Sequence, residues 1–170
     1  MAAALSAGFL SSPALAGDAG VRLTLSVGVG RGRVEETCDC LGDMADGPAV
    51  PIGLGLELAL QSVALEVAGR LLTVFDPDRD AKGYAPSFLI ALRGTPGWAI
   101  FQAGAGLAYV TARDDSNDGS APQSANLFHA AIGARLASRV RLILPFELML
   151  SDAYLHGMFY GATVEVALPK

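Results

Sequence analysis

The sequence predicts an all-β fold, an eight-stranded antiparallel up-and-down transmembrane β-barrel, on three observations. Apolar residues recur at every second position in segment after segment, the period of a strand with two unlike faces. The face opposite the apolar one is mostly Gly and Ala with isolated charges, unlike the Lys-, Thr- and Ser-rich face of a water-washed sheet. The connections alternate between long polar segments and tight turns, the rhythm of hairpins with long loops at one end of a barrel.

Composition supports the first observation. The chain has 170 residues, enough for one domain. Hydrophobic residues make up 52% and charged residues 17%, which is apolar for a soluble domain. No run of about 18 or more apolar residues follows the N-terminus, so the apolar content is not gathered into a membrane helix. It must be dispersed, and alternation disperses it. The 20 glycines also disfavour helices. The formal net charge is −5, and lysine occurs only at Lys82 and Lys170. No basic patch interleaved with aromatics is present, which disfavours nucleic acid, and none is expected as a partner.

The opening residues 1–16 read as a signal peptide with a truncated cationic region. Ala2 to Leu10 are small or apolar, and Ala14-Leu15-Ala16 has the small-x-small form of a cleavage site. A single barrel domain over 20–168 follows.

The strands are read in order. In 21–30, Val21, Leu23, Leu25, Val27 and Val29 alternate with Arg22, Thr24, Ser26, Gly28 and Gly30. Residues 31–49 turn polar and acidic and read as the first long loop. In 50–60, Ile52, Leu54, Leu56, Leu58 and Leu60 face one way, and Gly53, Gly55, Glu57 and Ala59 the other. After a turn near 61–62, strand 63–74 sets Val63, Leu65 and Val67 against Ala64, Glu66 and Ala68. Its register blurs at Gly69-Arg70-Leu71-Leu72, and a bulge at Gly69 would explain it. Residues 75–83 form the second loop.

The fourth strand points Tyr84, Pro86, Phe88, Ile90 and Leu92 outward, and Ala85, Ser87, Leu89, Ala91 and Arg93 inward. Gly94-Thr95-Pro96-Gly97 is a turn. From Trp98 to Ala112, Phe101, Ala103, Ala105, Leu107 and Tyr109 oppose Gln102, Gly104, Gly106 and Ala108. Residues 113–126 form the third loop. Strand 127–137 sets Phe128, Ala130, Ile132, Ala134 and Leu136 against His129, Ala131, Gly133 and Arg135. Strand 140–150 sets Leu142, Leu144, Phe146 and Leu148 against Arg141, Ile143, Glu147 and Met149, with Pro145 an awkward mid-strand residue. The last strand, 154–168, has His156, Met158, Tyr160, Ala162, Val164, Val166 and Leu168 outward, and Phe159, Thr163 and Glu165 inward.

Which face meets lipid follows from the second observation. Small side chains suit the narrow interior of an eight-stranded barrel. Glu57, Glu66, Arg93, Arg135, Arg141, Glu147 and Glu165 therefore form a barrel-interior charge network that closes any pore, because buried charges must pair. Leu54, Leu56, Leu58, Phe88, Ile90, Leu142, Leu144, Phe146, Val164 and Val166 face lipid. The aromatics Tyr84, Tyr109, Phe128 and Tyr154 near strand ends fit an interfacial girdle.

These features resemble the small eight-stranded outer-membrane proteins, such as the OmpA transmembrane domain and the OmpX-like families, over about residues 20–168. The resemblance implies a multi-pass barrel in a Gram-negative outer membrane, with lipid as its surroundings and another envelope protein met through the loops. The chain departs from the pattern at its end. Such proteins usually finish on an aromatic residue, whereas this one ends Val166-Ala167-Leu168-Pro169-Lys170.

No catalytic, cofactor or metal site is expected. An outer-membrane lipid A deacylase of this architecture would resemble His-x-Ser with a carboxylate nearby. Here His129 is followed by Ala130-Ala131 and His156 by Gly157-Met158. Ser151, Asp152 and His156 are close in sequence, which is not triad geometry. Asp114-Asp115-Ser116-Asn117-Asp118-Gly119 partly echoes a calcium loop but has Ala125 where the bidentate Glu belongs. Asp76, Asp78 and Asp80 read as a flexible acidic loop, with weak divalent-cation binding or bridging of lipopolysaccharide as the functional alternative. Cys38 and Cys40 are a candidate disulfide in an oxidising compartment, and two thiols alone do not make a zinc site. The alternatives to a structural or interaction barrel are a lipid-modifying enzyme of the same shape and a soluble secreted ligand-binding barrel.

Overall fold

The structure, a computed structural model, describes residues 20–35, 44–60, 62–114, 123–151 and 154–169. The signal segment, Cys38, Cys40, Asp152 and residues 115–122 lie outside the described residues. Eight strands follow one another: β1 Val21–Glu35, β2 Met44–Leu60, β3 Val63–Asp76, β4 Ala81–Gly94, β5 Ala99–Asp114, β6 Gln123–Arg135, β7 Val140–Ser151 and β8 Tyr154–Ala167. Each pairs antiparallel with the next, and β1 pairs with β8, so the sheet closes as a barrel. Closure leaves no row of unpaired backbone groups at an edge.

Alternation is the cause of the two surfaces. Along β2, Leu54, Leu56 and Leu58 are exposed outward while Gly53, Gly55 and Glu57 are buried. The small inner residues allow strands and side chains to crowd the axis. A Cβ added at Gly106 would lie 1.8 Å from the Phe88 carbonyl oxygen, so that position accepts only glycine without a shift.

Four prolines sit within strands: Pro48 lies just beyond the end of the β2–β3 ladder at Ala49↔Val74, and each of the other three falls where one ladder is interrupted. Pro51 lies in the β1–β2 gap between the pairs Val27↔Ile52 and Gly30↔Ala49. Pro86 lies in the β4–β5 gap between Tyr84↔Thr111 and Ser87↔Ala108. Pro145 lies in the β7–β8 gap between Ile143↔Thr163 and Phe146↔Tyr160. Proline has no N–H to donate, so each strand keeps its other ladder intact, as with Ala131↔Pro145.

The structure corrects the sequence reading in five places. The expected loop 113–126 narrows, since β5 runs on to Asp114 and β6 begins at Gln123. The expected loop 31–49 is mostly strand: β1 runs on to Glu35 and β2 begins at Met44. The expected loop 75–83 shrinks to residues 77–80, with Asp80 in the left-handed region at φ 51°. Asp76 organises that turn. Its Oδ1 accepts from the N–H groups of Asp78 (3.1 Å) and Arg79 (3.2 Å), and its Oδ2 from Asp46 N–H (3.2 Å). Gly69 is no bulge; β3 keeps continuous register with both neighbours, with Arg70 and Leu72 turned inward. The irregularity lies in β8 instead, where Met149↔Gly157 is followed by Leu150↔Leu155. His156 is the extra residue. A bulge sets two residues against one and breaks the alternation, so His156 is buried and Leu155 takes the exposed place.

The extensions explain why they read as loops. In the half of the barrel nearer the short turns, the outer face is apolar and the inner face polar. In the other half the polarities exchange on β1, β4, β5 and β6 while the pleat of those strands continues unbroken. Along β1 the outward series runs Val27, Val29, Arg31, Arg33, Glu35, and the inward series ends on buried Val34. On β4, β5 and β6 the outward series change beyond Tyr84, Tyr109 and Phe128 to Lys82, Thr111 and Asn126. Inside that half lies an apolar cluster that includes Val34, Leu72, Val74, Val110, Leu127 and Phe159.

Candidate functional site: a buried ion-pair network

The polar half of the interior is filled by charged and polar side chains that seven of the eight strands contribute. Glu57 (β2) and Glu66 (β3) stand directly opposite each other in the ladder. Like charges so placed repel. Arg93 from β4 resolves the conflict by reaching across the axis. Its Nη1 donates to Glu57 Oε2 at 2.5 Å and its Nη2 to Glu66 Oε2 at 2.5 Å. Both nitrogens also donate to Glu165 on β8, at 2.8 and 2.6 Å. The Arg93 side chain is 0% exposed. Arg141 on β7 donates from Nη1 to Glu165 at 2.6 Å, and it also donates to both oxygens of Glu57.

A second group sits beside the first. Arg70 Nη1 donates to Glu147 Oε1 at 2.5 Å, and His129 Nδ1 lies 2.9 Å from the same oxygen. Arg70 also approaches Glu66 at 3.6 Å, which joins the groups. Gln102 on β5 donates to Glu66 at 2.7 Å. Four carboxylates thus share three guanidiniums, with His129 and Gln102 completing the set. Charge-assisted and forked contacts of this kind are the strong class of hydrogen bond.

The sequence-predicted residues divide as follows. Glu57, Glu66, Arg93, Arg141, Glu147 and Glu165 are all buried and in mutual contact. Arg135 does not join them. It ends β6 opposite Arg141 and is exposed at the short-turn rim, beyond the carboxylates. Arg70 and Gln102 belong to the network and were not singled out. Parity counted from Glu66 places Arg70 inward, but the Leu71-Leu72 pair hides the phase of β3; alternation along β5 places Gln102 inward, but it carries no charge to mark it. Leu54, Leu56, Leu58, Phe88, Ile90, Leu144, Phe146, Val164 and Val166 lie exposed on the outer surface, and Leu142 is half-buried there. Tyr109 and Phe128 are exposed at the outer-face transition, with Tyr84 half-buried beside it.

The network leaves little space. A cavity of about 20 Å³ lies among Arg70, Gln102, His129, Glu147 and Glu165, room on the order of one water molecule. His129 is 4% exposed and engaged by Glu147 and Arg70. His156 is also inside, with Nδ1 3.4 Å from the Glu35 carbonyl oxygen. Neither histidine is presented on the outer surface where a lipid would meet it. Among the described residues no group of three or more His, Cys, Asp and Glu side chains is arranged to hold a metal ion.

No protein-family model matches the chain, and no curated protein is similar to it in sequence. Solved structures are similar in shape. Neisserial surface protein A (NspA) superposes with a TM-score of 0.60 at 16% identity, covering 88% of this chain and 99% of that one. Ail, the attachment invasion locus protein of Yersinia pestis, gives 0.59 at 10% identity, covering 85% and 97%. The N-terminal β-barrel domain of Pseudomonas aeruginosa OprF gives 0.58 at 15% identity, covering 86% and 97%. The closed antiparallel eight-stranded barrel of this chain is therefore the fold of these small surface and outer-membrane barrels.

Proposed function

We propose that the chain is an outer-membrane barrel of a Gram-negative envelope with a structural or interaction role, plugged inside and without an open channel. The exchange of face polarity along the strands carries this reading. An apolar belt outside a charged interior suits hydrocarbon outside, and a polar exterior over an apolar plug suits water. The two regimes meet at Tyr84, Tyr109 and Phe128, where aromatic rings at a membrane interface belong. A soluble ligand-binding barrel would need the Leu54–Leu56–Leu58 face turned inward, and it is exposed. The neighbours of the same fold include Ail, named an attachment invasion locus protein and an outer membrane protein, which supports a role for the polar end of this barrel and the connections 36–43 and 115–122 in meeting an envelope or external partner. The single domain over 20–168 and removal of residues 1–16 belong to the same reading.

Membrane fractionation with gel migration tests it. The protein should partition with the outer membrane, need detergent for extraction, and migrate faster unheated than boiled. Recovery from the aqueous fraction without detergent would overturn the proposal.

A further inference from the structure

Gln102 Oε1 and His129 Nε2 are buried polar atoms with no hydrogen-bond partner among the described residues. Both residues are buried to the same degree, 4% exposed. An atom left unmet in such a place bears the whole cost of its desolvation. The two share one place in the fold. Gln102 on β5 pairs with Ala131 on β6, and Gly104 with His129. Gln102 and His129 are therefore diagonal neighbours on the inner face, about 7–8 Å apart along the backbone. Gly104, directly opposite His129, sets no side chain beside the imidazole ring. Gln102 and His129 both line the cavity of about 20 Å³ described above.

The chemistry of the two atoms defines what fits between them. The Gln102 amide nitrogen donates to Glu66, which leaves Oε1 as the unmet acceptor. His129 Nδ1 lies 2.9 Å from Glu147 Oε1, and a carboxylate oxygen at that distance requires the hydrogen on Nδ1. The neutral ring then offers a lone pair at Nε2. Two acceptors that do not meet each other need a molecule with two donors. A doubly protonated ring would give its Nε2 hydrogen to the same molecule, so the arrangement holds in either form. The cavity admits a water and little more, since a water needs roughly 10–15 Å³ and two to four polar partners. Ser26 and Thr163 also line the cavity and supply hydroxyls. Each stands opposite a glycine, Gly53 and Gly28. A Cβ on either glycine would lie 2.5 Å from the hydroxyl oxygen, so the missing side chains make the room. The carboxylates on the cavity wall, Glu147 and Glu165, are paired with Arg70, Arg93 and Arg141, which favours a neutral occupant over a cation.

We infer that this cavity binds one water molecule that bridges Gln102 Oε1 and His129 Nε2 and is a fixed member of the network. The bridge ties together the two groups of charges. Gln102 belongs to the Arg93 group through Glu66, and His129 to the Arg70 group through Glu147. The groups also meet where Arg70 approaches Glu66, at 3.6 Å. The inference rests on the plugged interior proposed above, and not on which solvent surrounds the barrel.

Nuclear magnetic resonance of the full-length protein in detergent micelles tests it. The hydrogen on His129 Cδ2 flanks Nε2 and does not exchange with solvent. It should show cross-peaks at the water frequency of opposite sign in the laboratory and rotating frames, the mark of a long-lived bound water. Gln102→Met keeps much of the side-chain length and removes the oxygen. It should abolish those peaks, and oxygen-17 relaxation dispersion should count one long-lived water fewer than in the unaltered protein. Faster unheated migration on a gel shows that the variant is a folded barrel; if it is not, the cross-peaks of the unaltered protein decide the case. No peak at the water frequency in the unaltered protein overturns the bridge and leaves the plugged interior standing. A folded Gln102→Met variant that keeps the peaks and the count does the same. Peaks of the same sign in both frames mean rapidly exchanging solvent around the ring, and they overturn the bridge and the plugged interior together.

Discussion

Replacing Arg93 by methionine tests whether the interior network holds the barrel shut. The guanidinium is fully buried and donates four hydrogen bonds to three carboxylates. Methionine keeps much of the volume and removes every donor. Glu57 and Glu165 then retain Arg141, while Glu66 retains Gln102 at 2.7 Å and a longer approach to Arg70 at 3.6 Å. The loss is therefore that of one broken buried pair and not of three, about 3–5 kcal/mol. The total stability of a typical domain is on the order of 5–15 kcal/mol, so the variant should unfold at visibly lower denaturant. Urea titration of vesicle-inserted protein, followed by Trp98 emission and by gel migration, measures it; the midpoint should fall with little change in slope. Adding Glu66→Gln to Arg93→Met should recover part of the loss, because it removes the charge left facing Glu57. A loss under about 1 kcal/mol, the range of exposed ion pairs, would refute the argument, since it would mean that water already reaches these groups.

The remaining predictions concern packing, surface and permeability. Gly106→Ala should destabilise by about 1–3 kcal/mol, the range for overpacking, because its Cβ meets the Phe88 carbonyl oxygen. Gly69→Ala, with nothing within 4 Å of the new Cβ, should be neutral or stabilise by about 0.4–1 kcal/mol; paired urea titrations compare the two. Leu56→Arg on the outer belt should cost about 2–4 kcal/mol in a bilayer near the midplane, and a neutral result in the same titration would place that residue in water. Planar-bilayer recording of the purified protein should show no steady ohmic conductance, and a stable open level would contradict the plugged interior.

Much of this arrangement was legible in the sequence, for a simple physical reason. A charge on a strand face otherwise made of Gly and Ala has no solvent-facing role, so Glu57, Glu66, Arg93, Arg141, Glu147 and Glu165 announced the interior by their company. What escaped the reading depended on phase. Arg70 sits where Leu71 and Leu72 occupy opposite faces, and two adjacent leucines erase the parity that would have placed it. His156 followed the correct alternation of β8 until a bulge that no residue type marks moved it inside. Arg135 had the right parity and the wrong depth, because alternation says which side a residue faces and not how far along the barrel it lies. The ends of β1 and β2 were hidden because the residues facing outward there, Arg31, Arg33 and Asp46, look like a loop once the solvent has changed. Pro145 looked incompatible with a closed sheet and proved compatible with one, since a strand inside a sheet has two ladders and a proline interrupts only one of them.

On the proposed membrane-spanning reading, the exchange of polarity along β1, β4, β5 and β6 also fixes how deep the barrel rides. One residue is about 3.3 Å along a strand and, for strands tilted by roughly 35–45°, about 2.5 Å along the barrel axis. Sinking that far would drag Arg31, Lys82 and Asn126 into hydrocarbon, and rising would strand Val29, Tyr109 and Phe128 in water. The molecule is in effect a gauge of its surroundings, at ease only where the apolar layer matches the height of its belt. Bilayers thicker or thinner than that would have to deform around it, at a penalty of fractions of a kcal/mol for each ångström of mismatch.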